Sequence, residues 1–238
     1  MEEIYMNNVT EKNNKVFISG EIVSNAEFSH EVYGEGFYEM KVLVRRLSGQ
    51  GDLLPVTISE RLINDKDLKI GKQINALGQF RSYNKLVDGK SKLMLTVFVR
   101  ELLDTAIIKN PNSIVLAGYI CKEPVYRTTP FNREIADVLI AVNRSYNKSD
   151  YIPCIAWGRN ARFAKNLEVG EKICISGRIQ SREYQKRLDD DQIKIMTAYE
   201  VSISKLSAYE NAENFDLDEE FNLLSLNLEN QNSPVYED

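Results

Sequence analysis

The chain is poorest in histidine and tryptophan, with one of each, His30 and Trp157, among 238 residues. A lone histidine in a polar segment reads as a surface residue. It gives neither a Ser-His-Asp arrangement nor a histidine-rich metal site enough to build on. Cysteine is scarce too. Cys121, Cys154 and Cys174 are odd in number, form no Cys-x-x-Cys pair and each lie in an apolar stretch. That predicts buried free thiols rather than disulfides or zinc ligands. No apolar run approaches the ~18 residues that a membrane-spanning helix needs. The opening Met-Glu-Glu-Ile-Tyr-Met is acidic and lacks the apolar core of a signal peptide. A cytoplasmic protein with no membrane contact is expected. Gly-x-x-x-x-Gly-Lys-Ser/Thr, Gly-x-Ser-x-Gly and His-Glu-x-x-His are all missing. No catalytic residue, metal or cofactor is therefore expected, and an enzyme is the weakest of the functional classes.

What is present is ordinary in amount and uneven in placement. Hydrophobic residues make up 43% and charged residues 27%, enough for a real core and too apolar for wholesale disorder. The net charge of −5 hides three segments. Residues 1–109 carry 15 basic and 15 acidic side chains, residues 110–208 carry 15 and 11, and residues 209–238 carry no basic and nine acidic ones. A basic module followed by an acidic tail suggests a polyanion-binding body with a separate interaction arm.

The chain also repeats itself. Phe17-Ile18-Ser19-Gly20-Glu21-Ile22 matches Val115-Leu116-Ala117-Gly118-Tyr119-Ile120 at an offset of 98. Met40, Val42, Val44 and Arg46 match Val138, Ile140, Val142 and Arg144 at the same offset. Leu68, Gly71, Ile74 and Gly78 match Leu167, Gly170, Ile173 and Gly177 at 99. A constant offset over roughly 60 residues predicts two homologous domains, residues 1–109 and 110–208, followed by an acidic tail, residues 209–238, whose composition reads as disordered.

Each copy reads as β-rich. In the second, Ser113–Lys122, Ile135–Val142 and Tyr151–Trp157 are apolar, β-branched runs. A short helix capped by Asn160 fits Asn160–Leu167, with Gly170 just beyond it. Lys172–Tyr184 and Ile193–Ser204 follow, separated by the polar turn Leu188–Asp191. Three strands, a helix and two strands is the order of an OB-fold, a five-stranded Greek-key barrel. Gly118 and Gly177 fall inside strands, where glycine marks bulges or barrel corners. The expected fold class is all-β: two tandem OB-folds and a disordered tail.

Several stretches of the second copy resemble the bacterial single-stranded DNA-binding protein (SSB) family. They are Glu123–Pro130, Arg133–Ala136, Ala141–Arg144, Asp150–Ala161 and Gly170–Ile179. The likeness covers about 95 residues. Its implication agrees with the residues themselves, because sequence-tolerant binding of single strands needs π-faces for bases among cations for phosphates. The resemblance implies that Tyr146, Tyr151, Trp157 and Tyr184 stack on bases, with tyrosine standing at several positions where the family often has tryptophan. Around them lie Arg127, Arg133, Arg144, Arg159, Arg162, Arg178, Arg182 and Lys186 as candidate phosphate contacts. The first copy lacks this set: Leu53, Ser59 and Ser48 stand where Tyr151, Trp157 and Tyr146 stand in the second. Its surviving aromatics are Phe37, Tyr38, Phe80 and Tyr83, and its cations include Arg81 and Lys85. It reads as a domain kept for folding and subunit contacts; the other reading is a second DNA surface built from a different aromatic set.

The family implies a protein that coats single-stranded DNA in replication, recombination or repair, and a nucleoid-associated location. Two domains per chain suggest a homodimer presenting four. The tail ends in Ser-Pro-Val-Tyr-Glu-Asp, unlike the family's tip; one reading makes Phe215 to Phe221 an internal substitute that recruits DNA-processing proteins, and the other makes the tail a solubilising one. Leu217, Phe221 and Leu224 have helical spacing there. The alternative is an OB-fold interaction protein, such as a primosome accessory factor, with weak nucleic-acid binding.

Overall fold

A computed structural model describes residues 13–46, 48–64, 68–87, 89–104, 110–187, 193–208 and 217–225. Among these, eleven strands and three helices are assigned: β1 Asn14–Ile22, β2 Glu27–Val32, β3 Glu35–Arg45, β4 Gly51–Ser59, α1 Glu60–Asn64, β5 Gln73–Val87, β6 Lys90–Leu103, β7 Asn112–Thr128, β8 Glu134–Arg144, β9 Lys148–Trp157, α2 Arg159–Ala164, β10 Lys172–Arg187, β11 Ile193–Ala208 and α3 Leu217–Ser225. The strand order is β10-β11-β9-β8-β7-β1-β5-β6-β4-β3-β2. Two extra pairings, β10 with β7 and β1 with β3, close each half into a barrel. Each barrel contains one parallel pair, β9 with β11 and β4 with β6. Both halves are OB-folds, and the all-β reading of the sequence holds.

Alternation of apolar residues explains the strands. Ala136, Val138, Ile140 and Val142 of β8, and Ile152, Cys154 and Ala156 of β9, point inward and are buried. Their neighbours Asp137, Leu139, Tyr151 and Trp157 face out, because side chains alternate with period 2. At Gly78 and Gly177 the barrel wall folds so sharply that a Cβ would fall on the carbonyl oxygens of Phe98 and Ser202. The pairing register of both hairpins slips there, between Leu77 and Gly78 and between Ser176 and Gly177. Gly118 differs. It is a close approach, 2.6 Å from a built Cβ to the Ala141 oxygen, and the bulges of β7 come later, around Lys122. Gly177→Val should therefore cost about 3 kcal/mol or more, since a backbone oxygen cannot move aside as a side chain can. A thermal melt within a degree of the parent would refute that.

The helix expected at Asn160–Leu167 is α2, Arg159–Ala164. Asn160 does not cap it: Gly158, at φ 52°, precedes it without a side-chain cap, and the Asn160 amide donates to the Ser204 carbonyl at 3.0 Å. Asn160 lies inside the helix rather than before it, and its amide ties α2 to β11 instead of closing the first turn. The Leu188–Asp191 turn lies outside the described residues. Cys154 and Cys174 are buried free thiols as expected, whereas Cys121 is half-buried. Burial pushes all three thiols up.

The two barrels are joined by antiparallel pairing of β1 with β7, about a pseudo-twofold axis. Equivalent residues swap equivalent bonds across it. Asp150 accepts from the Ser82 backbone N–H at 2.7 Å while the Tyr151 N–H donates to Ser82 Oγ. Asp52 accepts from the Ser181 N–H at 3.0 Å while the Leu53 N–H donates to Ser181 Oγ. Arg46 and Arg144 pair with these buried carboxylates. Burial outweighs those partners at Asp150 and raises its carboxyl above the usual range. The first barrel thus holds the backbone of Tyr151 in place.

Part of the acidic tail is helical. Helix α3 lies across the outer face of the joined sheets. Phe221 packs with Phe17 and Val115, and Leu217 reaches Ala117 and Cys174. Asp218 pairs with Lys15, and Glu220 bonds Lys205 and Ser176. The helical spacing read from the sequence is realised against the chain's own body. Composition alone points to disorder there, because it does not register a complementary apolar strip 100 or more residues away. Phe221→Asp should release α3 and expose a contiguous apolar strip, giving concentration-dependent self-association in sedimentation velocity. Unchanged sedimentation together with unchanged amide protection of Leu217–Ser225 would contradict this.

Candidate nucleic-acid interface

Strands β7, β8 and β9 place their outward residues in rows. Pairing aligns Arg127, Ile135 and Trp157 in one row, and Tyr119, Ala141 and Tyr151 in another. Tyr151 is 47% exposed and Trp157 39%. Both stand on one face, about 20 Å apart along β9 at ~3.3 Å per residue. Tyr119 is as open as Trp157, and the small Ala141 stands between it and Tyr151. Tyr119 was missing from the sequence-predicted set; its signal was its odd phase among inward-facing Leu116, Gly118 and Ile120.

Tyr146 stands in the β8–β9 loop at φ 61°, 93% exposed. Tyr184 lies on the far part of the β10–β11 hairpin opposite Met196, 38% exposed. The loop before β8 presents a further aromatic that the sequence reading passed over, Phe131, 86% exposed beside Arg133.

The arginines divide into two groups. Arg127 makes a two-pronged contact to Asp137, at 3.0 and 3.2 Å. Arg162 pairs with Glu134, which also accepts from the Tyr126 hydroxyl at 2.6 Å. Arg144 lies 3.4 Å from buried Asp150. Arg178 is partly buried near Arg46 and Asp52 of the first barrel, and burial lowers its pKa. These four are held by the fold. Arg133 and Arg159 are exposed and have no ion pair among the described residues, and Arg182 lies 3.8 Å from Glu200. Lys186 is on β10, but its side chain lies outside those described. The arrangement gives π-faces spaced along a wall with cations at the rim, which suits a flexible polyanion with flat substituents. No cluster of metal-binding side chains occurs among the described residues, and no helix among them is long and apolar enough to cross a membrane.

Comparison with known proteins agrees with this geometry. Residues 111–208 match the profile of the "Single-strand binding protein family". The chain is 36% identical over 83 residues to single-stranded DNA-binding protein 1 of Staphylococcus aureus (strain COL), covering 32% of this chain and 50% of that one. It is 35% identical over 81 residues to single-stranded DNA-binding protein B of Bacillus subtilis (strain 168), covering 31% of this chain and 72% of that one. The chain thus spans about half the length of the first relatives it matches. In overall fold it resembles the wild-type single-stranded DNA-binding protein from Thermus aquaticus, with TM-score 0.63 and 19% identity over 82% of this chain and 92% of that one. That likeness extends the shared fold over both barrels, and the match to the Bacillus subtilis protein, 72% of which is covered, places this chain in the single-strand binding protein family.

Proposed function

We propose that this protein binds and protects single-stranded DNA without sequence preference, as a non-catalytic coat during replication, recombination or repair. The observation that carries this reading is the shared outward face of the second barrel's aromatics, Tyr119 and Tyr151 in one row and Trp157 in another, standing among arginines on a three-stranded wall. Bases stack on any π-face, so such a wall is tolerant of sequence. The cations grip phosphates and set register without reading bases. In this reading residues 110–208 carry the main surface, residues 1–109 brace it through Ser82, and residues 209–238 form the interaction arm. The protein works in the cytoplasm, on the nucleoid.

Trp157 is the only tryptophan, so its fluorescence reports on the surface directly. Titration with an oligothymidylate should quench it, and duplex of equal length should do so far more weakly. Equal binding of duplex, or no response to either, would overturn the reading in favour of an OB-fold interaction protein.

Assembly follows a different logic from a single-barrel chain. The pseudo-twofold pair of barrels already lies within one polypeptide. A homodimer of such chains presents four barrels, and α3 covers the apolar strip at the pseudo-axis, so the dimer would have to use another face or displace the helix. Recruitment of a DNA-processing protein by the Phe215–Phe221 segment competes with the same docking, because Leu217 and Phe221 are turned into the body. Phe215 lies outside the described residues.

A further inference from the structure

Beneath α3 lies an apolar strip that belongs to neither barrel's core. Val16, Ile18, Ile114 and Leu116 point into the barrels, while Phe17 and Val115, which alternate with them, point outward and cluster with Phe221. Phe17 and Val115 are repeat equivalents at the offset of 98. Val16 pairs with Ile114, which is its own repeat equivalent. The pseudo-twofold axis therefore passes through the Val16–Ile114 pair, and Phe17 and Val115 flank it as symmetry mates. Leu77 and Leu103 of the first barrel extend the strip and are only half-buried.

Helix α3 covers this symmetric strip in one sense only. Glu220 bonds Lys205 and Ser176, and Asp218 pairs with Lys15. By the equivalent strand pairings, the symmetry mates of Lys205, Ser176 and Lys15 are Glu101, Leu77 and Ser113. Turned about the axis, the helix would set Glu220 against Glu101. Charge thus selects one of two similar apolar seats. The seat is also easily vacated. Nine residues do not hold a helix alone in water, so undocking and unwinding are one event. Among the described side chains of α3 only Phe221 is buried, and both ion pairs are partly exposed, where salt weakens them.

A face that carries its own twofold axis is complementary to the same face of a second copy, and such a contact closes at two. We propose that α3 is a removable cap on a face made for a second copy of this chain, so that docking of the tail and pairing of chains exclude each other. Two chains meet through Phe17, Val115, Leu77 and Leu103 once α3 has left both. Pairing then frees Leu217–Ser225 on each chain. The segment is offered to a DNA-processing protein by paired chains and withheld by single ones. The inference rests on the homodimer and recruitment readings above, and deepens them by naming the face and making each depend on the other.

The test uses full chains and no nucleic acid, so its failure leaves the single-strand reading standing. Sedimentation velocity is run over a range of concentrations, with amide exchange of Leu217–Ser225 measured alongside. Phe221→Asp, which uncaps the strip, should dimerise at least tenfold more tightly than the parent. Adding Val115→Lys, which sets a second ammonium across from Lys15, should return that variant to monomer. Leu217→Cys supplies a control that leaves the strip untouched. Leu217 packs on Cys174, so oxidation with diamide ties α3 down, and mass spectrometry of the digest identifies the bond. The tied chain should stay monomeric at every concentration and regain the parent's behaviour on reduction. Phe221→Asp that sediments like the parent overturns the inference, as does a tied chain that dimerises. Dimers whose α3 amides remain protected, or assembly that runs past two chains, overturn it as well.

Discussion

Trp157→Ala is expected to weaken single-strand binding roughly 5- to 150-fold, the range that follows from about 1–3 kcal/mol per stacked base. The structure sharpens this expectation. Trp157 ends β9 with 39% of its surface open, facing the same side as Tyr151, with Arg127 in its row and Ile135 beneath. Its outward phase means that truncation removes a stacking face without opening a hole in the barrel. Part of the ring covers Ile135, so a small loss of stability is expected alongside, about 1 kcal/mol from uncovered apolar area. Tyr151→Ala should be milder, since its ring is smaller and Tyr119 remains across Ala141. Thermal melts of both variants establish that they fold. A folded Trp157→Ala variant that binds oligothymidylate like the parent would move the main surface elsewhere on the protein.

Salt should have an effect as large. If a strand neutralises about six cations, the slope for single strands of about −0.7 per phosphate gives roughly a 300-fold loss of affinity between 50 and 200 mM salt. The number of cations matters, and the structure lowers it below the sequence expectation. Arg127, Arg162 and Arg144 already face Asp137, Glu134 and Asp150, so each releases less counterion than an unpaired arginine. Arg133 and Arg159 should carry larger shares. Removing either should reduce the slope by about 0.7, while Arg144→Gln should mainly lower the melting temperature by leaving Asp150 buried without its partner. A slope near zero would show that phosphates are not what this surface grips.

Particular residues show where sequence reasoning reaches and where it stops. The alternation in Ile135–Val142 and Tyr151–Trp157 places Trp157 and Tyr151 outward together, because a strand's period is fixed by backbone geometry and needs no neighbour. The same rule applied to β7 would have added Tyr119. The arginines were a different matter. Charge counting found them, but Asp137 is ten residues from Arg127 and Glu134 is 28 from Arg162. Only the register of β7 on β8, and the seat of α2 on the barrel end, puts those pairs in contact. His30 illustrates the same limit: isolated in the sequence, it stacks on Phe37 because β2 folds back on β3 with a bulge between Phe28 and His30.

By itself the sequence determined the repeat of two β-rich units, the strand–helix–strand order of the second, the sharp corner at Gly177 and the shared outward phase of Tyr151 and Trp157. Each of these follows from local periodicity or from a backbone that leaves no room for a Cβ. Tertiary structure alone decided the rest. It swapped Ser82 and Ser181 across the pseudo-twofold axis onto Asp150 and Asp52, and seated α3 of the acidic tail on Phe17 and Val115. It also gathered Arg81, Phe98 and Arg144 from three strands of two barrels into one groove. The serine bonds join residues 68 and 129 positions apart, and the helix is tied by Lys15 to Asp218, 203 apart. Their free energy comes from burying charge and ring against surfaces that exist only once both barrels have closed and paired.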